Sequence, residues 1–262
     1  MDVYGDEIFA NPSGSHRFAR DARKVIDEAR DQIAELMGCR PGEIVFTSGG
    51  TEGANNAVLG AVRRHGGRAL CPATEHHAVL HCVEHVGGDV VPVASTGSVD
   101  PAVLRVHLAE STDVTVVSVM AVNNETGVVT DMEGVSHAVR GRAENAILHT
   151  DAVQAACWID LRTIWPHVDV MTLSAHKFGG PKGMGVMVVR EGVHLEPLLF
   201  GGGQERDRRS GTHNVAGIVG TATALHVTDA HRAHENTRLR VLRDDLIAQI
   251  VHSIPGAVAT VD

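Results

Sequence analysis

Apolar residues recur along this chain in two alternating rhythms. Between residues 16 and 37, Phe18, Ala22, Val25, Ile26, Ala29, Ile33 and Leu36 fall three or four apart. That spacing predicts an amphipathic helix, which Gly38 closes. Residues 43–46 are a short strand, and residues 47–52 open a second helix carrying Ala54, Val58, Leu59 and Val62. Further strands are predicted at 69–71, 90–93, 114–121, 146–150, 168–173 and 184–189, with helices over 77–86 and 101–108. The 114–121 run carries no charge, as expected of a sheet centre covered on both faces. From Asn214 the pattern is helical to about Val251, with a bend near residue 230, and Pro255-Gly256 ends it.

This alternation predicts an α/β fold, a mainly parallel seven-stranded sheet sandwiched by helices. Residues 1–10 read as an N-terminal segment and 11–231 as one large domain. Val258-Ala259-Thr260-Val261-Asp262 reads as the first residues of a further strand. Residues 232–262 are therefore expected to be only the start of a small C-terminal domain.

Composition narrows the function classes. The chain has 262 residues, 43% hydrophobic and 21% charged, a normal globular balance. Its net charge of -9, from 23 basic and 32 acidic residues, argues against nucleic acid as a partner. No apolar run reaches membrane-spanning length. The acidic N-terminus lacks the basic and apolar regions of a signal peptide, so a cytoplasmic protein is expected. Cys39, Cys71, Cys82 and Cys157 form no C-x-x-C pair and read as free thiols.

The polar residues that could carry chemistry sit just after the predicted strands. Thr47-Ser48-Gly49-Gly50-Thr51-Glu52 joins a strand to a helix. Gly50 lets the backbone approach a ligand, and the helix N-terminus with Thr51 offers free N–H groups to a phosphate. Alone it is also an ordinary strand–helix turn, and it is not a P-loop, because no Gly-Lys-Ser/Thr follows. Thr74-Glu75-His76-His77 puts an imidazole at a strand end, where it can stack on a heteroaromatic ring or cap a helix. His77, His81 and His85 recur every four residues beside Cys82. That stripe raises zinc, but there is no His-Glu-x-x-His, and a solvated helix face accounts for it. Asn123-Asn124-Glu125-Thr126-Gly127 follows the most buried strand, either as a ligand-facing end or as a turn.

Asp151 and Gln154 follow the next strand, and Ser174-Ala175-His176-Lys177 the one after, ahead of Gly179-Gly180-Pro181. Asp151 is also a plausible helix cap. A lysine at the end of an apolar strand is costly unless paired or used, and burial would favour its nucleophilic neutral amine. A strand-end lysine with a strand-end aspartate suits pyridoxal 5'-phosphate, which needs a Schiff-base amine and a partner for its pyridinium nitrogen. Residues 201–212 form a glycine-rich basic loop that could offer groups to a phosphate or be a mobile surface loop.

Taken together these segments resemble the NifS/IscS-like cysteine desulfurases of the class V, fold-type I pyridoxal-phosphate enzymes. The matching stretches include Asn11-Pro12-Ser13-Gly14-Ser15-His16, Phe46-Thr47-Ser48-Gly49-Gly50-Thr51-Glu52, Glu75-His76-His77-Ala78 and Val122-Asn123-Asn124-Glu125-Thr126-Gly127. They continue through His149-Thr150-Asp151-Ala152-Val153-Gln154, Ser174-Ala175-His176-Lys177, Gly202-Gly203-Gln204-Glu205-Arg206 and Arg209-Ser210-Gly211-Thr212.

The resemblance implies roles. Lys177 would bind the cofactor aldehyde and move the substrate Cα proton, and His76 would stack on the ring. Asp151 would pair the pyridinium nitrogen, Gln154 would contact the ring hydroxyl, and Asn124 would sit by the ring and the substrate carboxylate. Thr51, Ser174 and His176 would hold the phosphate, and Thr212 would reach the phosphate of the other subunit of a homodimer. The activity implied is conversion of L-cysteine to L-alanine. The sulfur is handed as a persulfide to an iron–sulfur scaffold or sulfur-carrier protein. The family's persulfide cysteine and its carboxylate-binding arginine are expected beyond Asp262, and an Asp-Asn-Ala-like segment is expected ahead of Asn11. The chain therefore reads as the cofactor half without the sulfur-accepting half. A selenocysteine lyase or another class V lyase or aminotransferase is the alternative, and an inactive or metal-binding α/β protein is the non-enzymatic one.

Overall fold

The computed structural model describes residues 3–4 and 7–259. Its first long element, α1 (Arg17–Met37), buries Ala22, Ile26, Ala29 and Ile33 and ends on Gly38 in the left-handed conformation (φ 70°). Then follow β1 (Ile44–Thr47), α2 (Gly50–His65), β2 (Arg68–Pro72), α3 (His77–His85) and β3 (Asp89–Val91). The central part runs α4 (Pro101–Glu110), β4 (Val114–Ser118), α5 (Met132–Arg140), β5 (Ile147–Asp151) and α6 (Leu161–Ile164). β6 (Val170–Ser174), β7 (Gly185–Val189) and α7 (Val215–Ser253) complete it.

The seven strands form one sheet in the order β1-β7-β6-β5-β4-β2-β3. All run parallel except β7, which pairs antiparallel with both β1 and β6. The link from β6 to β7 holds only a short 3₁₀ turn, so the chain turns back as a hairpin instead of crossing over.

Alternation along the strands fills two cores. Ile44 and Phe46, Leu70, Val117, Leu148, Val186 and Val188 face a layer containing α1, α5, α6 and α7. Val45, Ala69 and Cys71, Val116, Ile147, Met187 and Val189 face α2 and α3. The strands of the sheet centre are buried on both sides, which is why β6 and β7 read as nearly charge-free apolar runs, whereas the edge strand β3 leaves Val90 exposed.

Three expectations change. α5 was not predicted; its buried Met132, Val135, Ala138 and Val139 carry the helical period, and Asp131 caps it by accepting from Gly134 N–H at 3.0 Å. The strand expected over 114–121 ends at Ser118. Val119 and Ala121 still donate N–H groups to the carbonyls of His149 and Asp151 on β5. α7 runs unbroken through residue 230, with neither proline nor glycine between residues 221 and 253 to bend it. Residues 257–259 have no regular structure, and the rest of the strand expected at 258–262 lies outside the described residues, as do residues 1, 2, 5 and 6 of the N-terminal segment. No helix among the described residues is long and apolar enough to cross a membrane.

Candidate active site

In an open parallel sheet the carboxyl ends of the strands share one edge, and the crevice outside that edge binds ligands. Here five strand ends meet there. They line a cavity of about 220 Å³ that includes Gly50, Thr51, His76, Asn124, Asp151, Gln154, Ser174, His176 and Lys177. Every expected site residue but Thr212 is therefore on one wall or another. Thr212 is exposed and lies outside this lining.

The floor is buried and the rim is not. Gly50, Asp151 and Ser174 are buried, whereas Thr51, His76, Asn124, His176 and Lys177 are exposed. Lys177 departs from expectation, because β6 ends at Ser174 and the next residues form a 3₁₀ turn, Ala175–Phe178, that lifts the lysine out of the sheet. The burial expected to favour its neutral amine is absent. Its position beside the cavity, one strand over from Asp151, is retained.

Asp151 is 5% exposed, and its Oδ1 accepts the N–H of Val153 at 2.9 Å. Burial raises its pKa, while that hydrogen bond and the nearby His76 and Lys177 pull the other way. A buried carboxylate balanced this way is suited to receive a cation from the cavity. His76 caps α3, its Nδ1 accepting from Ala78 N–H at 3.0 Å. That bond leaves the ring proton on Nε2, so the imidazole presents a donor and a flat face.

The α2 N-terminus carries Gly50 and Thr51. A Cβ on Gly50 would lie 2.5 Å from Val153 Cγ2 and 3.5 Å from Ser174 Cβ, so this part of the cradle admits only glycine. Ser174 Oγ lies 3.0 Å from His176 Nδ1 on the opposite wall. Free N–H groups, two hydroxyls and an imidazole thus converge where a phosphate group would sit. A buried acid for a ring nitrogen, a rim amine and this anion cradle together fit pyridoxal phosphate.

Two ion pairs brace the site that sequence reasoning did not single out. Glu52, one residue after Thr51, holds Arg209 at 2.8 and 3.2 Å and so ties the 201–212 loop to the first turn of α2. Arg30 and Glu205 are 7% and 6% exposed and bond at 2.7 and 3.0 Å. Glu205 also accepts from Phe46 N–H at 3.1 Å and contacts His213 Nε2 at 2.6 Å. Burial works to raise the Glu205 pKa, but its hydrogen bonds to His213 and Arg30 hold it down at about 2. This anchor sustains three consecutive left-handed non-glycine residues, Glu205, Arg206 and Asp207, with φ of 50°, 58° and 63°. Arg30 sits on α1 between the core residues Ala29 and Ile33, so its charge is the signal for a buried partner.

His77 and His81 stack with ring centroids 4.7 Å apart, and no group of three metal-ligating side chains occurs among the described residues.

The chain belongs to the aminotransferase class-V family, whose model matches residues 1–260. It is 39% identical over 258 residues to the cysteine desulfurase IscS of Dictyoglomus turgidum, covering 95% of this chain and 64% of that protein. A solved NifS-like protein superposes with a TM-score of 0.91 at 35% identity, covering 96% of this chain and 70% of its own. A second solved structure, SspA in complex with cysteine, has a TM-score of 0.78 at 34% identity, covering 86% of this chain and 66% of that one. The chain thus spans less than two thirds of the length of the curated relative it matches.

Proposed function

We propose that this chain is the cofactor-binding part of a cysteine desulfurase, with pyridoxal 5'-phosphate held at Lys177. The observation that carries this reading is the placement of Asp151, at the end of β5, and Lys177, in the turn just past the end of the adjacent β6, on one cavity with the α2 N-terminus. The complete protein would convert L-cysteine to L-alanine and pass the sulfur on for iron–sulfur cluster or thiolated-cofactor synthesis.

Bound pyridoxal phosphate supplies an electron sink for bonds breaking at the substrate's α- and β-carbons. Each residue then has a task. Asp151 would keep the ring nitrogen protonated, His76 would cover one ring face, and Gln154 would face the ring hydroxyl. Gly50, Thr51, Ser174 and His176 would hold the phosphate by N–H and side-chain contacts. Lys177 would hold the aldehyde and would accept and return the proton at the substrate Cα. Asn124, on the rim, meets the substrate carboxylate. Over the whole reaction the cysteine C–S bond breaks and a methyl group takes its place. The sulfur joins an acceptor thiol as S–S–H, so cysteine and thiol become alanine and persulfide.

None of the four cysteines lines the cavity; Cys157 donates from Sγ to the Lys177 carbonyl at 3.4 Å. The acceptor thiol is therefore assigned to another segment or partner. Thr212, exposed on the loop that Arg209 anchors, is assigned to the cofactor of a second copy in a homodimer. Residues 11–231 are assigned to the cofactor-binding unit and 232–262 to the start of a second. In support, the buried positions of α7 end at Leu225. A cytoplasmic location is supported by four cysteines that are all free.

The test is to load the purified chain with pyridoxal phosphate, add L-cysteine, and map persulfides by alkylation and mass spectrometry. Cofactor absorbance that Lys177→Ala abolishes, with no persulfide on Cys39, Cys71, Cys82 or Cys157, is the expected result. Absorbance unchanged by Lys177→Ala, or stoichiometric persulfide on one of these thiols, contradicts it.

A further inference from the structure

Glu75 is the residue beside this site whose chemistry nothing above explains. It lies in the short link between β2 and α3, next to His76, and is 6% exposed. Its neighbourhood follows from the sheet. Val119 and Ala121 donate their N–H groups toward β5, so the N–H of Met120 between them points the other way, toward β2. β2 has ended at Pro72 by then. Oε1 of Glu75 takes the place of the missing strand and accepts the Met120 N–H. Met120 lines the cavity, as does Asp151, to whose carbonyl Ala121 is bonded.

That accounts for one oxygen. The other, Oε2, is buried without a hydrogen-bond partner. An ionised carboxylate in that position would leave full charge unsolvated, which costs several kcal/mol at least. The groups facing it offer no relief. β2 contributes the buried thiol of Cys71 and β5 contributes the carboxyl of Asp151, whereas the Lys177 ammonium acts on Asp151. Two buried carboxyls with unequal surroundings divide their protons unequally. Asp151 has the Lys177 cation and the opening to the cavity, and Glu75 has neither.

We propose that Glu75 is a positioning residue: it closes the open edge of the chain just past β4, at Met120, as an uncharged acid, leaving Asp151 as the single negative charge at the cavity floor. Burial and the charge of Asp151 push the Glu75 carboxyl well above the ordinary glutamate range, in agreement with this assignment. The consequence for the proposed cofactor is that its ring nitrogen meets one carboxylate instead of two. This consequence rests on the pyridoxal-phosphate reading; the protonation of Glu75 does not.

Infrared difference spectroscopy on the cofactor-free chain at pH 7 tests the protonation by itself. The expected result is a carbonyl-stretch band of a protonated carboxylic acid that disappears in Glu75→Gln and persists in Asp151→Asn. Absence of the band in the parent chain, or its loss only in Asp151→Asn, overturns the proposal. Cofactor titration then reads the consequence. Glu75→Gln, neutral and still able to accept the Met120 N–H, should bind pyridoxal phosphate within about threefold of the parent, whereas removing a charge that mattered would weaken binding about tenfold or more. A tenfold loss with the band present in the parent overturns the positioning role. If the chain binds no cofactor at all, the cofactor reading fails and the infrared result still decides the state of Glu75.

Discussion

Lowering the pH from 7 to 5 tests how the middle of the sheet is held. His149 sits on β5, two residues before Asp151, and is fully buried. Its Nδ1 lies 2.7 Å from Ser118 Oγ on β4 and its Nε2 3.2 Å from Thr172 Oγ1 on β6. No carboxylate compensates a charge on the ring, and burial pushes its pKa from 6.5 down to about 3. A histidine kept neutral in the fold stabilises it fully above its unfolded pKa, and that contribution is lost as pH falls from 6.5 toward 3. At about 1.36 kcal/mol for each tenfold change in proton affinity, the whole drop amounts to about 5 kcal/mol. About 2 kcal/mol of it is lost by pH 5, a sizeable part of the roughly 5–15 kcal/mol a domain has. Urea unfolding followed by circular dichroism at pH 7, 6 and 5 measures the loss. His149→Phe is the control: it leaves the Ser118 and Thr172 hydroxyls unpaired, costing about 1–3 kcal/mol each at pH 7, but it cannot titrate. The difference between the two chains should shrink by about 2 kcal/mol over this range. A difference independent of pH would refute the account of His149 as a buried neutral base.

Other perturbations reach different parts of the structure. Gly53→Ala places a Cβ 2.8 Å from Thr172 Cγ2, where α2 crosses β6, so thermal denaturation should show a loss of about 1–3 kcal/mol from overpacking; an unchanged midpoint would mean that the helix can move away freely. Arg30→Met leaves Glu205 buried with only His213 and the Phe46 N–H. Urea unfolding should record a loss of about 3–5 kcal/mol, and less than about 1 kcal/mol would contradict the role given to this pair. Because Glu205 is held at about 2, its contribution is present above pH 4.5 and fades as pH falls toward 2, so Glu205→Gln should flatten stability in that acid range. Asp151→Asn removes a buried acid whose folded pKa is raised. Cofactor-free stability at pH 7 should stay level or rise while pyridoxal-phosphate affinity falls, and a loss of stability would place Asp151 in the fold's framework instead.

Much of the architecture is legible in the order of residues, for identifiable reasons. The central strands stand out because both faces are covered, which turns segments such as Val186–Val189 of β7 into charge-free runs. The spatial order of the strands and the reversal of β7 are not legible, since they depend on crossovers and on a hairpin that no local pattern encodes. α5 escapes notice because its period spans only nine residues and includes Gly134. At the site, the strand-end polar residues Thr51, His76, Asp151, Ser174 and Lys177 come together as their positions suggest. The exposure of Lys177 was hidden by the turn that follows β6. Glu75 was equally hidden: its neighbours in sequence are polar, and only the early end of β2 shows why it turns inward.

The most direct test of the central claim is covalent. The chain is incubated with pyridoxal 5'-phosphate, reduced with borohydride, digested, and mapped by mass spectrometry. The account places the single reduced pyridoxyl group on Lys177, with labelling lost in Lys177→Ala. Label on Lys24 or Lys182, or no label at all, would contradict it.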